Sequence, residues 1–191
     1  MSISKVVSQC QSCSYPKLQS VFFLGYFPLP SIMHSIGQYP SEQSSYPLKL
    51  LQCPKCHLIQ LESLISEKVL FPSHFPYTSS TTKSLRDNFL ELYQECSSFF
   101  PLSSQDLIID IGSNDGNLLS HFTRHRVLGI TPEEIGKIAI ERGIPTLITY
   151  FDDATVSEIL AGHGQAKIVT ATNVFAHVDE VNQFVERILK I

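Results

Sequence analysis

The chain has 191 residues, 14 basic and 18 acidic side chains, a formal charge of −4, and 43% hydrophobic residues. That composition fits a soluble globular protein with room for one ordinary domain, or a small domain beside part of a larger one. It argues against nucleic acid held by bulk electrostatics, which needs clustered Lys and Arg.

No apolar run approaches the roughly 20 residues of a membrane span. The start MSISKVVSQCQSC lacks the apolar core of a signal peptide, so the expectation is a cytoplasmic chain with no membrane partner. In that reducing compartment the five cysteines are not expected to form disulfides.

Residues 1 to about 75 read as irregular, with Pro, Ser, Gly and Tyr punctuating YFPLPSIMHSIGQYPSEQSSYP and no sustained helical period. Short β-like runs, VFFLGYF and LKLLQC, flank the cysteine pairs, and HLIQLES follows the second. A segment so poor in core needs a staple. FPSHFPYTSSTTKS reads as an extended connector. SLRDNFLELYQECSSFF then places Leu85, Phe89, Leu92, Tyr93 and Cys96 on one helical face.

Beyond it, strands and helices alternate. LIIDI is a buried strand and GNLLSHFTRH a helix. RVLGI is a second strand, followed by a helix over PEEIGKIAIERG with Pro132 early and Gly143 closing it. PTLITY is a third strand, ATVSEILAGH a helix, KIVTAT a fourth strand and DEVNQFVERILKI a last helix. Such alternation predicts parallel pairing with right-handed crossovers.

Four cysteines form two identical spacings, Cys10-x-x-Cys13 and Cys53-x-x-Cys56, while Cys96 stands alone. Two intervening residues let both thiolates reach one tetrahedral zinc from a tight turn, and the second pair completes the shell. The gap between the pairs is 53 − 13 − 1 = 39 residues, a loop that closes at modest entropic cost. Four thiolates leave no open position, so the ion would be structural. His57, next to Cys56, is an alternative fourth ligand, and incidental cysteines or a redox pair are the bland readings.

Asp110-Ile-Gly112-Ser-Asn114-Asp-Gly116 sits where the first strand of an α/β sheet hands over to its helix. Gly112 would let backbone approach a ligand and Gly116 would let helix pack on strand, although such turns also occur as packing alone. The loop is not the dinucleotide pattern G-x-G-x-x-G. The second strand ends in Thr131 with Glu133 and Glu134 just beyond, and TATNVFAHVDE ends the fourth. Strand C-termini at a switch point are where open α/β sheets bind ligands, which directs attention to Asn173 and His177. The alternative for His177 is capping or packing at the start of the last helix, and Asp179 reads as that helix's N-cap.

Taken in order, CQSC, LGYFPLP, YPLKLLQCPKCHLIQL, LFPSHFPYTSS, DIGSNDGNLL, GITP, RGIPTLITYF and ATNVFAHVDE resemble one family across nearly the whole chain. It is the zinc-binding-domain-containing, S-adenosylmethionine-dependent C-methyltransferases of nucleotide-deoxysugar biosynthesis. The resemblance implies an α/β chain. A small β-rich zinc-binding domain over 1–75 would precede an incomplete Rossmann-like class I methyltransferase domain over 76–191, with a mostly parallel sheet.

It implies structural zinc on Cys10, Cys13, Cys53 and Cys56. S-adenosylmethionine would lie among Asp110, Gly112, Asn114, Gly116 and Asn173, with Asp110 toward its ammonium. Tyr77 and His177 would face a nucleotide-linked keto sugar that is methylated through an enolate. Thr131 stands where the family has an acid for the cofactor's ribose. A threonine offers one hydrogen bond in place of a charge-assisted bidentate contact, so weakened cofactor affinity is expected.

The family continues past this point with a Tyr-His-Glu-His stretch holding its candidate base and with a further C-terminal domain. The expectation is therefore weak or absent turnover by residues 1–191 alone, with a C-terminal fragment or partner completing the sheet. A phenol, with an ordinary pKa near 10, is a poor base at neutral pH. Two other functions compete: a catalytically inactive zinc-containing cofactor-binding or assembly module derived from such an enzyme, and a zinc-ribbon nucleic-acid binder. Only Lys49 and Lys55 flank the second cysteine pair as cations, which argues against the nucleic-acid reading.

Overall fold

A computed structural model describes residues 3–29, 36–39, 42–75 and 77–191. Pro30 of LGYFPLP, Pro76 of FPYTSS, and residues 31–35 and 40–41 of the stretch expected to be irregular lie outside the described residues. The chain divides into two compact units, Met1–Pro72 with Asp179–Asn182, and Ser73–Val178 with Gln183–Ile191.

The first unit is built from short antiparallel strands. β1 (Ser4–Val6) pairs with β5 (Ser63–Ile65), and β2 (Gln19–Pro28), β3 (Ser45–Gln52) and β4 (Ile59–Leu61) form a three-stranded sheet in that order. β2 and β3 run out and back, so Gln19 lies opposite Gln52 and the segments bearing the two cysteine pairs end side by side. That pairing is why 39 intervening residues are no obstacle to a shared site. The register shifts between Ser20 and Phe22 and again between Phe23 and Gly25. Gly25 has φ +120, a backbone that disfavours any residue with a Cβ. A four-residue helix, α1 (Glu67–Leu70), closes the unit.

The second unit is a four-stranded, all-parallel sheet in the order β8-β7-β6-β9. Its strands are β6 (Leu107–Ile111), β7 (Arg126–Thr131), β8 (Thr146–Ile148) and β9 (Ile168–Thr170). Alternation along β6 splits its side chains between two cores. Leu107, Ile109 and Ile111 pack with Leu128, Ile130, Val156, Ile159 and Phe184 on one face, the last three from α4 (Asp153–Gly162) and α5 (Val181–Lys190). Ile108 faces the other way, toward Phe89 of α2 (Lys83–Phe99) and Ala139 of α3 (Gly136–Glu141), with Leu118 and Phe122.

All five residues of the expected α2 face, Leu85, Phe89, Leu92, Tyr93 and Cys96, lie in or against that second core. The result is the α/β architecture expected, cysteine-bearing antiparallel strands followed by a parallel sheet between two helical layers.

Three expected elements differ. GNLLSHFTRH is not an α-helix. It forms a 3-10 turn at Leu119–His121, with amide-to-carbonyl bonds three residues back from His121, Phe122 and His125. Leu118, Leu119 and Phe122 are all buried, and the tighter winding suits a stretch apolar on more than one side.

The helix expected from Pro132 starts only at Gly136. The Glu134 amide bonds to the Ser73 carbonyl at 2.6 Å and the Thr131 hydroxyl to Glu133, which holds 131–135 as a turn. It ends as expected at Gly143, whose φ of +82 suits the left-handed helix stop. Asp179 is not the N-cap of α5, since that helix begins at Val181. Asp152 does cap α4, its Oδ1 accepting from the Thr155 amide at 2.9 Å.

Candidate functional site

The four thiols form the clearest site. One sulfur from each of Cys10, Cys13, Cys53 and Cys56 lies within 4.8 Å of all the others. Cys10 Sγ approaches Cys56 Sγ at 3.5 Å, and Cys13 Sγ approaches Cys53 Sγ at 3.5 Å. Sulfurs about 2.3 Å from a shared tetrahedral zinc stand roughly 3.8 Å apart, so the donor set and spacing fit that ion.

Each pair sits on the same knuckle. The Ser14 amide bonds to the Cys10 carbonyl and the Cys10 amide to the Tyr15 carbonyl; likewise His57 bonds back to Cys53, and Cys53 to Leu58. The residue after each pair is left-handed, Ser14 at φ +57 and His57 at φ +63. His57 thus turns the chain; among the described residues the cluster contains cysteines only, not a histidine.

Burial pushes the Cys53 thiol up, but backbone bonds at Cys56 and Lys55 and the neighbouring thiols hold it down at about 6. A backbone bond at Leu58 lowers Cys56, but burial and the neighbouring thiols push it the opposite way, to about 12, so the sulfurs share protons that a bound metal would displace. Buried Gln60 of β4 braces the first knuckle. Its Oε1 accepts from the Gln11 amide at 3.0 Å and its Nε2 donates to the Gln9 carbonyl at 3.3 Å. Lys49, one of the two cations beside the second pair, is tied to Glu62 at 2.7 Å.

The second candidate site lies at the C-terminal ends of the parallel strands. β6 and β9 are neighbours while the chain passes β7 and β8 on the other side, so the sheet order reverses between β6 and β9. The loops after these two strands meet there. A Cβ on Gly112, at φ +76, would stand 2.2 Å from Val174 Cγ2, and at Gly116, φ +78, one would stand 2.7 Å from Ile144 Cδ1. Gly112 therefore serves a close approach of two loops, and Gly116 a close approach to the α3 end.

Asp110 is 2% exposed and accepts a 2.7 Å hydrogen bond from Thr170 Oγ1 of β9. Burial raises its carboxyl to about 7, the Thr170 bond opposing. Thr131 is buried with its hydroxyl turned to Glu133 Oε2. Glu133 is itself 8% exposed and raised by burial, with the Thr131 bond opposing. The strand end that lacks an acid at position 131 thus has one two residues on, visible in the sequence as the first Glu of TPEE. Asn173 is left-handed, φ +56, and exposed; His177 is exposed in a 3-10 turn over Phe175–His177.

The side chains of the loop itself turn elsewhere. Asn114 is buried at φ +52; its Oδ1 accepts from the Ser79 amide at 2.9 Å and its Nδ2 donates to the Tyr77 carbonyl at 3.0 Å. Fully buried Asp115 accepts from Ser79 Oγ at 2.5 Å, from Ser80 Oγ, and from Arg142 at 3.1 Å. Burial pushes that carboxyl up, but these three donors outweigh it and hold it below the ordinary range. Tyr77 is 50% exposed. No sequence signal links Ser79 and Ser80 to Asp115, which lies 35 residues or more downstream. A cavity of about 510 Å³ opens at the opposite end of the sheet, lined by Leu107, Arg126, Arg142 and His163 among others, away from the strand C-termini.

Residues 10–71 match a protein family described as "Putative zinc binding domain". The chain is 27% identical over 184 residues to the C-methyltransferase NovU of Streptomyces niveus, a match that covers 95% of this chain and 44% of that protein. Among solved structures, the plantazolicin methyltransferase BpumL in complex with SAH matches at 17% identity with a TM-score of 0.38, over 55% of this chain and 40% of its own. The chain therefore spans less than half the length of either protein. Residues 10–71, which bring the four cysteines together, are similar to that zinc-binding family, within a chain whose similarity to a C-methyltransferase extends over 184 residues.

Proposed function

We propose that this chain is the N-terminal part of an S-adenosylmethionine-dependent C-methyltransferase acting on a nucleotide-linked keto-deoxysugar, with residues 1–75 as zinc domain and 76–191 as cofactor domain. The observation that carries the reading is the meeting of the β6 and β9 loops at the sheet's switch point, above a buried carboxylate at Asp110.

Zinc on the four cysteines is structural, since thiolates fill all its positions. S-adenosylmethionine, when bound, supplies an electrophilic methyl group. Asp110 receives its ammonium, the Gly112–Gly116 loop passes beneath its methionine portion, and Asn173 flanks it. Thr131 and the Glu133 carboxylate beside it take the ribose hydroxyls, which offsets the missing acid at 131.

Tyr77 and His177 face the sugar. Removal of the proton next to its ketone gives the enolate, and of these two side chains the imidazole is the more usual general base.

Calorimetric titration of the zinc-loaded chain with S-adenosylmethionine tests the reading. A single-site heat that Asp110→Ala and Glu133→Ala both weaken is expected, and no heat from a folded, metal-loaded chain refutes it. A second reading, an assembly module without turnover, draws on β2. Val21, Phe22, Phe23, Leu24, Tyr26 and Phe27 are 45% to 67% exposed, an apolar surface suited to a partner. Concentration-dependent association with no cofactor heat favours that reading.

A further inference from the structure

The segment Tyr77–Ser80 is held by loop side chains at three backbone atoms of two residues, Tyr77 and Ser79. The Tyr77 carbonyl takes Asn114 Nδ2 at 3.0 Å, the Ser79 amide gives to Asn114 Oδ1 at 2.9 Å, and the Ser79 carbonyl takes Asn117 Nδ2 at 3.4 Å. The Ser79 and Ser80 hydroxyls add two bonds to the fully buried Asp115 carboxylate, whose second support is Arg142.

Hydrogen bonds to a charged acceptor are the strong ones, and a buried carboxylate deprived of them is costly. The backbone of 77–79 is thereby fixed while the Tyr77 ring stays 50% exposed. A half-exposed aromatic anchored by its backbone presents part of its ring outward, whereas core aromatics are enclosed by packing. Asn114 also adopts φ +52, a left-handed conformation that Asn tolerates better than most residues and that aims its amide at the segment.

We infer that Asn114, Asp115 and Asn117 are positioning residues, a clasp that holds Tyr77 by its backbone on the same loop that receives the cofactor. The inference rests on the proposed function in assigning Tyr77 to the acceptor sugar. It reassigns the Asn114 side chain from cofactor contact to the clasp. The loop that carries one substrate then also sets the reach of the side chain that meets the other.

The chain has no tryptophan, so Tyr77→Trp installs a lone fluorophore whose carbonyl still accepts from Asn114. In the zinc-loaded chain, residual anisotropy of that tryptophan is expected to fall in the S79A/S80A background and to return in S79A/S80T, which restores one hydroxyl. Circular dichroism and the melting curve confirm that the fold is kept. Both serines lie outside the loop, so the loop's own sequence is untouched.

In the chain with Tyr77 intact, S79A/S80A, which removes both hydroxyl bonds to Asp115, is expected to weaken a nucleoside-diphosphate-linked 4-keto sugar by at least roughly tenfold, the worth of one such bond. S-adenosylmethionine affinity should stay within about twofold. Anisotropy unchanged by S79A/S80A in a folded chain overturns the clasp, as does an equal loss of both affinities. Absence of any S-adenosylmethionine heat in the unaltered chain refutes the cofactor reading separately, while hydroxyl-dependent rigidity of the tryptophan upholds the clasp in either case.

Discussion

Asp110→Asn is expected to remove a pH dependence that the wild-type sheet unit carries. Asp110 is 2% exposed, and burial raises its carboxyl from the ordinary 3.8 to about 7. A shift of roughly 3 pH units at 1.36 kcal/mol each is about 4 kcal/mol. The folded state then binds more protons than the unfolded state between about pH 4 and 7, so stability falls as pH rises across that window. It is highest below the unfolded value, and the full cost is present above pH 7.

Of that cost, roughly 2.5 kcal/mol develops between pH 5 and 8. The asparagine keeps an oxygen to accept from Thr170 and has no charge to desolvate. Hydrogen exchange of the β6 amides reads the sheet unit apart from the metal-bearing one. Wild-type protection should decline relative to Asp110→Asn by about that amount between pH 5 and 8. Parallel profiles for the two proteins would refute the reasoning. Under the proposed function the sign of binding follows as well. An ammonium needs the carboxylate ionised, so cofactor affinity should rise through pH 7 and binding should release a proton.

Metal analysis of the purified chain should give one zinc per chain. Cys53→Ser or exhaustive chelation should abolish the β-sheet signals of the first unit, because ion binding worth about 10–16 kcal/mol exceeds what so small a core supplies. Gly112→Ala combines a left-handed φ with a Cβ 2.2 Å from Val174 Cγ2. A loss of at least about 2 kcal/mol is expected, of which Val174→Ala recovers the steric part and leaves about 1–2 for the backbone; denaturant melts of the four proteins check the cycle. Thr131→Val leaves the Glu133 carboxylate without its hydroxyl donor, which should cost about 1–3 kcal/mol at pH 7. Since burial already raises Glu133, that loss should shrink as pH falls toward 4 and the carboxyl protonates.

The sheet was legible because its middle strands are largely buried on both faces and read as mostly aliphatic runs, LIIDI and VLGI. The α2 face was legible because one side of that helix meets one core. The turn at Leu119–His121 was not, because Leu118, Leu119 and Phe122 satisfy a helical spacing that local winding then overrides. The late start of α3 was hidden for a similar reason: a bond from Glu134 to distant Ser73 outweighs the local preference of Pro132.

At the candidate sites, paired cysteines announce themselves by spacing alone. The knuckle conformations of Ser14 and His57 do not, since neither residue is a glycine. The clasp was least legible. Its partners are far apart in sequence, and each of its side chains is an ordinary polar residue.

Each cysteine knuckle keeps its own backbone bonds, Ser14 to Cys10 and His57 to Cys53, with β2 and β3 between them. Capture of the ion is therefore a chelation in two stages. Either knuckle would offer the metal two sulfurs first, and the hairpin would hold the other pair nearby at a raised effective concentration. Loss of the ion would then require both pairs of sulfurs to let go, so exchange by simple dissociation would be slow and a competing thiol would speed it.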